Sequence, residues 1–160
     1  MLEQAGYEVI SDASQADIII AHSGGCFALP DHVRARKIVL VGITYWPGRS
    51  LAGSMVRKVI DDLHEHHREG ELRFWLQKSW FNLLYAFRIT QGLCMLRGRH
   101  DGRVWRYGKQ VVVVRYSHDT FCTPDLGTLP FTDPPKIVQL PGHHDDCWRK
   151  PAAIVRIVQS

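Results

Sequence analysis

The chain has 160 residues, 45% hydrophobic and 22% charged, which is one domain's worth with enough apolar side chain for a substantial core and excludes disorder. The formal net charge is +4, from 20 Lys and Arg against 16 Asp and Glu; the basic residues are scattered, so no footprint for nucleic acid exists. No segment reaches the ~18 apolar residues of a bilayer-spanning helix, and residues 1–10 lack the basic and apolar regions of a signal peptide. Cys26, Cys94, Cys122 and Cys147 show no CxxC spacing, so they read as free thiols. The expectation is a cytoplasmic protein with no stable membrane insertion.

In chain order, residues 1–5 read as a helix end, and residues 7–11, after the turn at Gly6, as a short strand. Residues 16–21 (ADIIIA) form a continuous apolar run rich in β-branched side chains. Such a run suits a strand buried on both faces of a parallel sheet. Residues 37–43 (KIVLVGI), 110–116 (QVVVVRY) and 136–140 (KIVQL) repeat the pattern. Four such strands joined by long connections predict a single α/β domain with a mostly parallel central sheet flanked by helices. The connection over residues 44–109 exceeds one crossover helix, and residues 46–108 read as a helical lid insertion. Residues 151–159 read as a final helix with Pro151 at its start, where the missing N–H costs nothing.

Three segments carry chemistry, each directly after a strand. The first is Ala21-His22-Ser23-Gly24-Gly25. A serine on a sharp strand-to-helix turn lifts its hydroxyl above the sheet, and small neighbours let the backbone turn tightly. A following helix would point its positive end at the serine, and the Gly24 N–H would face a developing oxyanion. The same pentapeptide also suits a glycine-rich turn that only packs or holds a phosphate. The second segment is Ser117-His118-Asp119, with Asp125 as a competing acid. The third is Leu140-Pro141-Gly142-His143-His144-Asp145-Asp146. A histidine there can reach the serine with one ring nitrogen and the aspartate with the other.

The order Ser, Asp, His and these three motifs resemble the α/β-hydrolase superfamily, in its small serine-hydrolase type. A-H-S-G-G is similar to the nucleophile elbow, with Ala21 where the family usually has Gly. R-Y-S-H-D-T-F resembles the acid turn and L-P-G-H-H-D-D-C-W the histidine loop. The family's Gly-x-His register selects His144 over His143. The resemblance implies a catalytic triad of Ser23, Asp119 and His144, an oxyanion donor at Gly24, a small-molecule acyl substrate and no cofactor. It also implies strands and an oxyanion-hole loop before the elbow, for which residues 1–17 offer no counterpart. The expectation is therefore a chain of weak activity, with an uncovered sheet edge through which it could oligomerise. The alternative is a non-catalytic module of the same fold that uses an aromatic lid to hold a ligand or protein partner.

Residues 73–89 (RFWLQKSWFNLLYAFRI) are unusually aromatic. They read as a lid wall lining an apolar substrate pocket through Trp75, Trp80, Phe81 and Phe87, with core packing or a membrane- or partner-facing surface as the other readings. His64-Glu65-His66-His67 lacks the HExxH spacing and reads as a solvated helix face. The cluster from His143 to Cys147 is explained better by a triad than by a metal. Cys26, Cys122 and Cys147 read as small buried apolar filler.

Overall fold

The computed structural model describes residues 2–27, 29, 33, 35–43, 76, 110–119 and 131–160. The chain divides into two compact units, Met1–Tyr45 with Arg103–Ser160, and Trp46–Gly102; the fold described here belongs to the first. The lid expected over residues 46–108, with Trp75, Trp80, Phe81 and Phe87, lies outside the described residues apart from Leu76, as does Asp125.

The four β-branched runs become strands β1 (Ile18–His22), β2 (Lys37–Val41), β3 (Val111–Tyr116) and β4 (Lys136–Leu140). They form one sheet in the order β1-β2-β3-β4, with every pairing parallel. Ile19 lies beside Ile38, Leu40 beside Val113 and Val113 beside Ile137. The fold is thus of α/β type around an all-parallel sheet.

Side chains alternate across a strand, so each central strand feeds two cores. Ile38 and Leu40 of β2 join Val111 and Val113 of β3 on one face, with Ile19, Ala21, Cys26 and Leu29. Val39, Val41, Val112, Val114 and Tyr116 lie on the other face, against Cys147, Ile154 and Val158. This two-sided burial explains why β2 and β3 read as unbroken apolar runs. β1 and β4 end the described sheet, and β4 is the more open, with Lys136, Ile137 and Gln139 exposed. Charged and polar side chains on such an edge discourage pairing with another chain.

Two helices follow β4: a single turn, α1 (Asp146–Arg149), and α2 (Ala152–Gln159). Pro151 stands at the N-cap of α2, and its carbonyl accepts the Val155 N–H at 3.0 Å. Ile154 and Val158, one turn apart, are the buried stripe of α2. The ammonium of Lys37 donates to the carbonyls of Ile157 and Val158 at 3.0 and 3.1 Å. A cation on the last carbonyls satisfies groups that have no partner within a helix, and it pins α2 to the start of β2. Among the described residues no helix is long and apolar enough to cross a membrane.

Two expectations need correction. Residues 7–11 form no strand: Val9 and Ile10 are exposed, and the segment leads into a 3-10 turn, Ala13–Gln15, capped by Asp12. Ser14 donates to the Asp12 carboxylate from its N–H and from its hydroxyl, a local bonding pattern that favours a turn over an extended strand. After β1 the chain enters a five-residue 3-10 helix, Ser23–Phe27. So short a turn carries little macrodipole toward Ser23.

Candidate active site

Because all four strands run the same way, the segments after β1, β3 and β4 emerge at one edge of the sheet. In open α/β sheets ligands bind outside this carboxyl edge. Ser23 directly follows β1, Asp119 lies three residues past β3, and His144 lies four past β4.

Ser23 has φ of 55°, and among the described residues it is the sole non-glycine with positive φ. A left-handed serine costs roughly 1–3 kcal/mol, and such strain persists where the surroundings hold it. Below the turn, the fully buried Cys26 thiol faces the carbonyls of Ala21 at 3.5 Å and Val41 at 3.9 Å. Burial pushes that thiol well above its ordinary pKa, which fits a structural filler. Cys147 is also buried, and burial, followed by the nearby Asp145, pushes it up to about 12. Gly24 lies half-buried within the same turn.

Asp119 and His144 meet in the interior. The Nδ1–H of His144 donates to Asp119 Oδ2 at 2.8 Å, with 6% of the His144 side chain and none of the Asp119 side chain exposed. A buried carboxylate is costly without a partner, and the imidazole is that partner. With its proton on Nδ1, neutral His144 carries its lone pair on Nε2, the atom a general base uses. The ring of His143, the neighbour in sequence, lies tilted against that of His118, with centroids 5.3 Å apart.

Main-chain bonds hold the segments of Asp119 and His144 together. The N–H of Ser117 donates to the Leu140 carbonyl and that of His118 to the Gly142 carbonyl, each at 2.9 Å. Gly142 has φ of 128°, in the region that favours glycine. A Cβ there would collide with the Asp146 carboxylate. That carboxylate accepts the His143 N–H at 3.1 Å and is paired with Arg149 and Lys150. Asp146 thereby fixes the turn that presents His144.

Two residues that the motifs did not single out complete the cluster. The His22 ring lies 4.7 Å from the His144 ring, and its Nε2–H donates to the His144 carbonyl at 3.0 Å. Trp148, edge-on at 5.6 Å, donates its indole N–H to His22 Nδ1 at 3.2 Å. Burial, followed by the neighbouring His144, lowers His22 to about 4, against the weaker opposing pull of Asp145 and Asp119. The only sequence signal for either residue is its place, one before Ser23 and four after His144.

His22, His144 and Asp145 also offer ligand atoms within 4.8 Å of one another. A metal there would have to displace a hydrogen bond already made by His22. A cleft of about 520 Å³ opens near the beginnings of the strands, lined in part by Arg36, Lys37, Gln110, Lys136 and Arg156. It does not include Ser23, Asp119 or His144. Comparison of the chain with family models, curated proteins and solved structures gave no match.

Proposed function

We propose that this protein is a serine hydrolase of α/β-hydrolase type that cleaves a small or medium acyl ester, a thioester or an activated amide through an acyl-enzyme. The observation that carries this reading is the buried 2.8 Å contact between His144 and Asp119, at the same sheet edge as a serine held at positive φ. The three residues follow strands in the order Ser, Asp, His that α/β-hydrolases use.

In this reading Ser23 attacks the substrate carbonyl while His144 Nε2 takes the hydroxyl proton. The tetrahedral intermediate collapses as His144 returns that proton to the leaving group. Water then attacks the acyl-enzyme by the same route. Asp119 holds the tautomer and stabilises the imidazolium. The Gly24 N–H serves as one oxyanion donor. The chemistry needs no cofactor.

Labelling with a fluorophosphonate tests this without knowledge of the substrate. Peptide mapping is expected to find the adduct on Ser23. An adduct on Ser117 instead would reject Ser23 as nucleophile, and no adduct at all would favour a non-catalytic binding module.

A further inference from the structure

We propose that Trp148 and His22 are positioning residues for the base: Trp148 fixes the tautomer of His22, and His22 holds the main chain of His144 in place. The proposal rests on the reading of His144 as general base.

The geometry starts from the sheet order. β1 and β4 are three strand spacings apart, roughly 14 Å. The loop that carries His144 follows β4, yet its carbonyl lies 3.0 Å from a ring nitrogen of His22 at the end of β1. The loop therefore reaches back across the sheet edge, and His22 is a grip on its far side. His22 also immediately precedes Ser23, so one residue both enters the serine turn and holds the loop of the base.

The tautomer follows from donor chemistry. An indole N–H can only donate, so His22 Nδ1, at 3.2 Å from it, presents a lone pair. A neutral imidazole with a bare Nδ1 carries its proton on Nε2, and Nε2 faces the His144 carbonyl. The opposite tautomer would set lone pair against lone pair there and N–H against N–H at Trp148. A doubly protonated ring would keep the carbonyl bond and lose the indole. His144, Asp145 and Asp119 are the titratable groups that act on this ring, and burial keeps it neutral at ordinary pH. The chain Trp148–His22–His144–Asp119 thus fixes the base at two points, main chain and Nδ1.

The test uses the full chain with three substitutions and two readouts. The first readout is the side-chain N–H resonances of His22 and His144 by nitrogen-resolved NMR. The second is the fluorophosphonate labelling rate of Ser23. His22→Leu removes the grip, so the His144 Nδ1–H resonance is expected to broaden away and labelling to slow on the order of 10²-fold, as for other misplaced catalytic groups. His22→Gln restores a donor near the position of Nε2, and the His144 Nδ1–H resonance and the labelling rate are expected to stay near wild type. Trp148→Phe frees the His22 tautomer, and its Nε2–H resonance is expected to redistribute, with labelling slowed about tenfold, in the range of lost second-sphere partners. If His22→Leu fails to fold, Trp148→Phe carries the test. A His144 Nδ1–H resonance that is unchanged in His22→Leu, with the His22 tautomer unchanged in Trp148→Phe, overturns the proposal whatever the labelling rate. Wild-type protein that shows the resonances but never labels, with the resonances lost in the variants as expected, would reject Ser23 as nucleophile and leave the positioning intact.

Discussion

The carboxylate of Asp146 lies against the α-carbon of Gly142, in the space that a Cβ would fill. Gly142 also has φ of 128°, so its missing side chain is needed twice. Gly142→Ala is expected to destabilise the fold by roughly 2–4 kcal/mol, from backbone strain and the displaced carboxylate. Urea unfolding measures it. A midpoint equal to wild type would show that the turn rearranges freely.

Replacement of the base or the acid should abolish turnover rather than weaken binding. His144→Ala is expected to lower ester hydrolysis by several orders of magnitude, and Asp119→Asn by on the order of 10⁴. His143, whose ring lies against His118, is expected to lose far less on replacement by Ala. Each variant needs a melting curve alongside, because His144→Ala removes an imidazole that bonds a buried carboxylate. A dead His143→Ala beside an active His144→Ala would reassign the base.

The Tyr116 hydroxyl is buried without a hydrogen-bond partner among the described residues. Burial pushes its pKa well up from the ordinary value. An unpaired buried hydroxyl costs about 1–3 kcal/mol. Tyr116→Phe is therefore expected to leave the melting temperature unchanged or raise it. A clear fall would reveal a partner for the hydroxyl.

His22 makes stability depend on pH in one direction. Its value falls from 6.5 to about 4 on folding, so above 6.5 it is neutral in both states and its contribution is fully present. As pH drops from 6.5 toward 4, the unfolded chain takes a proton that the folded chain refuses, and stability is lost by up to roughly 3 kcal/mol. Urea midpoints between about pH 7 and pH 4.5 are expected to fall more steeply for wild type than for His22→Gln. Parallel curves would show that His22 titrates normally in the fold.

The central strands β2 and β3 were legible because burial on both faces writes itself as consecutive valines and isoleucines, as in Val111 to Val114, whereas β4, read the same way, has no buried residue. The three segments proposed for the site stand out because glycine and polar residues interrupt those runs abruptly. What was hidden was nonlocal. Nothing in the spacing of His22 and Trp148 says that the two rings meet, since that contact depends on the loop after β4 leaning toward β1. The expected strand over residues 7–11 failed for a local reason. Asp12 and Ser14 form a self-contained turn, and exposed Val9 and Ile10 gain nothing from pairing.

The bonds from the Ser117 and His118 amides to the Leu140 and Gly142 carbonyls have a consequence for how the site comes apart. Those two amides exchange with solvent deuterium only when the turn after β3 separates from the loop after β4. Segments joined this way open as one cooperative unit. Asp119 and His144 therefore leave their places together, and the two amides should share a single opening free energy. Damage that loosens either loop displaces Asp119 and His144 in the same event.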